Sequence, residues 1–387
     1  MSSDITSPPK KPAESPPRRV RPPREPEASV VIDYLKQRSS LFSALVDLRE
    51  AGWNSAAGDT YFLDRENNAD NADDATRKKF FKMMVTVLHQ LDKATSAISG
   101  AGSPPSPLTV LDLCLAPGGF TQGTLQLRPG SRVKGITLPM AEGGHKVLLN
   151  LRGNADVMNV LFHDITMFSN EFGLPAKLVP EDHPDKARFV DFRPFAMLRF
   201  DLVFCDAQML RTQERGEHRG HLVERIRLRA SQILIALGRI KQGGTMVMLL
   251  NHMEAPQCID IIRDIDSISE VTVWKPEKIW GVKSTFYLIA KKVRSASDEA
   301  KKLLEKYREL WRKATLDGVY PEWTEKEVEE MLKDYGDRVI QLGTETWRVQ
   351  AATLKRSAFI RREMDKENQP VRELVDVVGR VALEKEI

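Results

Sequence analysis

Between residues 108 and 292 the apolar positions gather into short β-branched runs separated by longer amphipathic stretches. Strand-length runs stand at 108–115 (LTVLDLCL), 132–138 (RVKGITL), 160–165 (VLFHDI), 200–206 (FDLVFCD), 245–250 (TMVMLL), 270–274 (EVTVW) and 285–290 (TFYLIA). Runs that are apolar on both alternate positions belong to a sheet covered on both faces, and such sheets are mostly parallel. The stretch 219–240 carries Leu222, Val223, Ile226, Ala230, Ile233, Leu234 and Leu237 on one helical face. Strands alternating with helices predict one α/β domain, a doubly wound, mostly parallel seven-stranded sheet.

The flanks have another texture. From Ser29 to Gly52, apolar residues at helical spacing (Val31, Tyr34, Leu35, Leu41, Leu45, Leu48) predict a helix that ends at the glycine. A polar stretch from Glu66 to Asp74 follows. Residues 75–98 are helical again, with Phe80, Met84, Val87, Leu88 and Leu91, and the linker SGAGSPPSP closes that part. Residues 169–199, polar and dotted with proline, predict an inserted surface loop. After Lys292 the charged segments KKLLEKYRELWRKA and TEKEVEEMLKDYG predict helices with little core of their own. The expected division is a proline-rich basic arm at 1–28, N-terminal helices at 29–100, the α/β domain at 108–293 and a charged helical extension at 294–387. The arm holds eight of the 22 prolines and is expected to be disordered.

Composition narrows the class. With 41% hydrophobic and 29% charged residues in 387, the chain can bury a sizeable core. Its apolar runs fall short of the roughly 18–20 residues of a membrane span, and the N-terminal residues lack the apolar centre of a secretory signal. Three scattered cysteines, Cys114, Cys205 and Cys258, do not make a disulfide framework or a zinc site. The expected location is nucleus or cytoplasm, without secretion and without a membrane partner. A formal charge of +4 permits a nucleic-acid partner without requiring one.

The strongest local signal is LDLCLAPGGF, Leu111 to Phe120, a buried strand running into Pro117-Gly118-Gly119 and then a helix. In open α/β sheets ligands sit at such carboxyl ends, and glycines permit close approach of a ligand to the backbone. The turn is not the G-x-G-x-x-G dinucleotide fingerprint. Asp112, just before it, is placed to organise the loop or meet a cationic ligand.

The order LDLCLAPGGF, HDIT at 163–166, FDLVFCDAQ at 200–208, GGTMVMLL at 243–250 and KPEKIWGVKSTFYLIAKK at 275–292 resembles the FtsJ-type family. That family contains S-adenosylmethionine-dependent RNA 2′-O-methyltransferases with a Rossmann-like sheet. The resemblance spans about Lys78 to Lys292. It implies S-adenosyl-L-methionine as cofactor and RNA (rRNA, tRNA or a cap) as partner. Asp112, Pro117, Gly118, Gly119 and Phe120 would form the methionine side of the pocket, and Asp164 would meet the adenine amino group with Ile165 beside the ring. Where many such enzymes carry an acidic ribose-binding residue, this chain reads Gly135-Ile136-Thr137-Leu138, so Thr137 is the candidate there.

The family's catalytic tetrad is Lys-Asp-Lys-Glu. By resemblance Lys82 matches the first lysine and Asp206 the aspartate. The second lysine falls on Leu249 and the glutamate on Thr285, in a register anchored by Gly243-Gly244, Lys275-Pro276 and Tyr287. Leucine has no proton chemistry and threonine offers no carboxylate, so Asn251, His252, Lys283 and Ser284 are candidate substitutes. Arg211, Arg215, Arg219, Arg225, Arg227 and Arg229 are candidate phosphate contacts, and Trp274 and Trp280 candidate stacking residues. Two readings follow: a methyltransferase of the FtsJ type acting on an RNA ribose hydroxyl, or a catalytically inactive protein of that fold serving as an RNA-binding scaffold.

Overall fold

A computed structural model of the chain describes residues 25–70, 73–209 and 220–361. Seven strands form one sheet: β1 Thr109–Leu113, β2 Arg132–Thr137, β3 Met158–Phe162, β4 Phe200–Cys205, β5 Ile240–Asn251, β6 Glu270–Trp274 and β7 Thr285–Val293. Their order is β3-β2-β1-β4-β5-β7-β6. Every pairing is parallel except those of β7, which runs antiparallel to both β5 and β6. The order reverses between β1 and β4, and a crevice opens there at the carboxyl ends of the strands.

Period-two alternation divides the strand residues between two apolar layers. Leu111, Leu113, Val203, Met246, Met248 and Leu288 face one side, where α6 (His221–Arg239) and α7 (Pro256–Ile268) supply Ile233, Leu237, Ile259 and Ile262. Val110, Leu202, Phe204, Val247, Leu249 and Tyr287 face the other, against α4 (Asp74–Thr95) and α5 (Gly119–Leu127). The seven-stranded doubly wound sheet predicted from the sequence is thus the one observed.

The terminal helices differ from expectation. Residues 29–52 are not one helix but parts of two, α1 (Pro26–Arg38) and α2 (Ser40–Asn54). The break is at Ser39, whose extended backbone and side chain, accepting from the Phe42 amide at 3.1 Å, make it an N-cap. A further helix, α3 (Ala56–Asp70), runs into the Asn/Asp-rich stretch. Its Tyr61 and Phe62 rings meet Phe359, at 5.1 and 5.9 Å. That tertiary contact overrides a weak local pattern.

The C-terminal helices α9 (Asp298–Arg312) and α10 (Glu325–Arg356) share a core with the rest of the molecule. On α10, Trp347 is buried against Phe42 of α2 with ring centroids 4.7 Å apart. Gly336 is a glycine because a Cβ there would lie 2.3 Å from the Tyr34 hydroxyl of α1. α1 and α2 therefore meet α10 in one helical layer beside β6. The 169–199 segment is likewise more than a surface loop: Phe172, Val179 and Phe189 are buried, and Phe172 packs 4.7 Å from Trp311 of α9. Trp311 is anchored in turn by donating to the Thr166 carbonyl at 3.2 Å. These phenylalanines are spaced irregularly, so periodicity did not disclose them.

Candidate functional site

The carboxyl ends of β1 to β4 enclose a cleft of about 310 Å³. β1 delivers Asp112, which is 2% exposed and accepts a 2.6 Å hydrogen bond from the Thr121 hydroxyl of α5. Burial pushes its carboxyl up to about 6, against the pull of that hydrogen bond. After β1 the chain turns through Cys114, whose positive φ of 72° lets both its amide and that of Leu115 bond the Ile136 carbonyl of β2. The Ala116 amide then donates to Thr137 Oγ1 at 3.3 Å.

Gly118 and Gly119 also answer to packing within the protein. A Cβ on Gly119 would lie 2.5 Å from Met84 Cβ and 2.9 Å from the Phe81 carbonyl oxygen, so this glycine lets α4 close over the start of α5. A Cβ on Gly118, whose φ is +105°, would lie 2.6 Å from the Leu149 side chain. Both are needed for protein packing and, at Gly118, for a left-handed backbone. Gly135 is of the same kind, since Leu115 fills the space beside it at 2.5 Å.

β3 ends at Asp164, which caps the short turn Ile165–Met167 by accepting from the Thr166 amide at 2.9 Å and the Thr166 hydroxyl at 2.8 Å. Its other oxygen lies 3.6 Å from Arg188, which also pairs with Glu142. β4 ends at Asp206. Burial, and then the nearby Asp112, push its carboxyl well above the carboxylate range. Its buried Oδ1 has no hydrogen-bond partner among the described residues. Burial also pushes the Cys114 thiol far up, with Asp164, Asp112 and Asp206 adding to the shift, so that thiol marks the point on which three carboxyl groups converge.

Eight of the predicted residues line the cleft: Asp112, Pro117, Gly119, Phe120, Thr137, Asp164, Ile165 and Asp206. Gly118 lies behind it. Lys82 is on the exposed side of α4, while Phe80 and Met84 of the same helix line the cleft. No lysine or arginine is among the described lining residues. Leu249 of β5 is buried and forms part of the wall beside Gln208, whose Nε2 donates to the Leu249 carbonyl at 3.4 Å. Opposite, Asn251 pairs with Thr285 and Leu249 with Tyr287. The Thr285 carbonyl is held by buried Lys275 at 2.6 Å, and burial pushes that amine down to about 7.

Cys114, His145, His163, Gln208 and Trp280 also line the cleft and were not singled out as cofactor contacts. His163 had a usable signal, its place beside Asp164 at a strand end; His145 had none. Among the arginines, Arg211, Arg215 and Arg219 lie outside the described residues. Arg227 is fully buried, donating to Glu224 at 3.0 Å and to the Thr166 hydroxyl at 2.9 Å, and so serves the interior. Arg229 donates to Asn251 Oδ1 at 2.8 Å. Trp274 stacks on Tyr287 at 6.2 Å.

A cleft lined by buried carboxyl groups, with apolar Phe80, Met84, Leu115 and Leu138 at its sides, suits a ligand that is positively charged in part and apolar in part. S-adenosyl-L-methionine, with its amino group, sulfonium and adenine, fits that donor set: the orphaned Asp206 oxygen and the carboxyl groups of Asp112 and Asp164 would face its cationic and N–H groups.

Strand order and site position define a Rossmann-like methyltransferase fold. Within that class the chain belongs to the FtsJ-like methyltransferase family, whose model matches residues 88–293. No curated protein matches the chain. Solved structures similar to it include a ribosomal RNA methyltransferase, so described putatively, from Plasmodium falciparum, at 15% identity and a TM-score of 0.35, covering 54% of this chain and 96% of that one. Others are the T. thermophilus 16S rRNA N2 G1207 methyltransferase in complex with AdoMet and guanosine (14%, 0.29, 54% and 42%) and human methyltransferase-like protein 13 in complex with SAH (12%, 0.32, 61% and 94%).

Proposed function

We propose that this protein binds S-adenosyl-L-methionine in the cleft above β1, β3 and β4 and methylates RNA, with a ribose 2′-hydroxyl as acceptor. The observation that carries the reading is the half-buried Asp206 in the cleft wall, whose buried Oδ1 has no hydrogen-bond partner among the described residues. Bound cofactor supplies an electrophilic methyl group on a cationic sulfur. The chain's own groups do the rest. Asp112 and Asp164 orient the ligand through its N–H groups. Leu249 and Trp280 keep water from the transfer path. Asp206, in the cleft wall with Leu249, is the group to take the hydroxyl proton in place of the lysine that Leu249 displaces, a role open to it once a cationic ligand offsets the burial that favours its protonated form. Lys82, on the outer side of α4, would then guide phosphates rather than act on the hydroxyl.

A second reading, an RNA-binding scaffold without transfer, is favoured by Leu249 and by the lack of lysine or arginine among the described lining residues. Methyl transfer from labelled cofactor to total RNA separates the two. The first reading predicts incorporation that falls at least a thousandfold in Asp206→Ala while folding and RNA binding persist. Absence of incorporation by wild-type protein that binds both RNA and cofactor selects the second.

A further inference from the structure

Beside the cofactor cleft lies a larger chamber of about 780 Å³, which shares Gln208, Leu249 and Trp280 with it. Its walls come largely from outside the family-matched segment 88–293. α2 contributes Phe42, Val46 and Trp53, α3 contributes Phe62, and the α10 end contributes Leu354 and Phe359. The floor is the carboxyl end of β5 and the start of β7, with Asn251, His252 and Thr285. All four substitutes considered for the missing tetrad members, Asn251, His252, Lys283 and Ser284, line this chamber and not the cofactor cleft.

The polar groups form one array. Arg49 Nη1 donates to Glu254 Oε1 at 2.8 Å, and Nη2 to Gln350 Oε1 at 2.7 Å. His252 Nδ1 lies 3.2 Å from the same Glu254 oxygen. Arg49 Nε and Glu254 Oε2 are buried and make no hydrogen bond among the described residues. The pair thus retains one donor and one acceptor, the complement of a ring edge that offers an N–H donor beside an acceptor. The charges of the chamber (Arg49 and Lys283 against Glu25, Asp59 and Glu254) do not favour a phosphate. Its aromatic walls suit a flat ring. Its volume lies within the roughly 300–1,000 Å³ of pockets that enclose one small ligand, which excludes a duplex.

We propose that the chamber, walled by the terminal helices, is the acceptor pocket, taking a single neutral heteroaromatic ring that presents an N–H donor beside an acceptor, as a nucleobase does, next to the methyl donor. The assignment of the chamber as an acceptor site rests on the proposed function; the ring chemistry rests on the chamber alone. The terminal helices then act as a specificity wall added to the family fold. The same base is carried either by an unpaired nucleotide of RNA or by a free nucleoside.

The test is calorimetric titration of the full chain with guanosine, uridine, adenosine and cytidine, followed by a short unstructured oligoribonucleotide carrying the base that binds, with a separate cofactor titration. At least one of the four is expected to bind, and to lose at least about tenfold in affinity when the N–H of its edge is methylated. Ala28→Trp, which fills the chamber from α1, should abolish that binding and leave cofactor binding intact. Glu254→Gln should reduce the discrimination even if the larger substitution impairs folding. Tighter binding of the oligoribonucleotide than of its nucleoside identifies RNA as the source, and its exclusion identifies a free nucleoside. Cofactor binding with no binding of any nucleoside, or binding unchanged by both variants, overturns the chamber assignment alone. Nucleoside binding without cofactor binding leaves the ring chemistry standing and overturns the proposed function.

Discussion

The two ends of this site treat buried charge in opposite ways. Above β1, β3 and β4 the carboxyl groups of Asp112 and Asp206 are pushed up by burial, with no cation among the described residues placed to hold them ionised. Above β5 and β7 Glu254 is just as buried, yet the Arg49 guanidinium and the His252 hydrogen bond overcome that burial and hold it well below the usual carboxylate range. The second end has largely completed its own electrostatics with residues of the chain. The first is left with negative capacity for which a positively charged ligand is the natural complement. A buried charge left unbalanced calls for a charged ligand; a charge balanced by its neighbours, with Arg49 Nε and Glu254 Oε2 still without hydrogen bonds among the described residues, suits a neutral one.

The contrast breaks most severely at the packing beneath the first end. Gly119→Val places carbon against Met84 Cβ and the α4 backbone, and should cost about 3–4 kcal/mol and abolish cofactor binding, as read by chemical denaturation and calorimetry. Next comes the pH response. Asp112 has its folded pKa raised from 3.8 to about 6, so its contribution to stability is fully present below 3.8 and lost as pH rises through 6. The loss is about 3 kcal/mol in the free protein, and Asp112→Asn should flatten that window. Cofactor affinity should move the other way, increasing over the same range as the carboxyl ionises.

Glu254 gives the opposite sign. Its lowered pKa provides stability that is present above 4.5 and lost on acidification below it. Glu254→Gln should cost about 2 kcal/mol at neutral pH, without altering cofactor affinity if the two ends are independent. The smallest effect concerns the wall itself. Ser39→Ala removes the cap at the start of α2 and should cost about 1 kcal/mol. It should also loosen the chamber, seen as faster amide exchange in α2 with no change around β1.

The sheet was legible because its information is local: LTVLDLCL, FDLVFCD and TMVMLL are continuous apolar runs, and period two assigns each residue to a face. The convergence of Asp112, Asp164 and Asp206 on one cleft was legible for a related reason, since each lies at or just beyond the carboxyl end of a strand, and strand ends meet in this topology. What sequence reasoning could not reach depends on contacts between distant segments. Arg49 and Glu254 are ordinary charged residues until α2 is laid beside the end of β5. Arg227 looked like a phosphate contact, and only the neighbouring Glu224 and Thr166 reveal it as interior. The glycines of the PGG turn were seen, but their partners, Met84 and Leu149, were not.

The most direct test of the central claim, that the carboxylate-lined cleft is a cofactor site, is calorimetric titration of the wild-type protein with S-adenosyl-L-methionine and its demethylated product. The account predicts micromolar binding of the methyl donor, about −8 kcal/mol, weaker binding of the uncharged product, and loss of that preference in Asp206→Asn. Folded protein that shows no heat of binding at millimolar cofactor would contradict it.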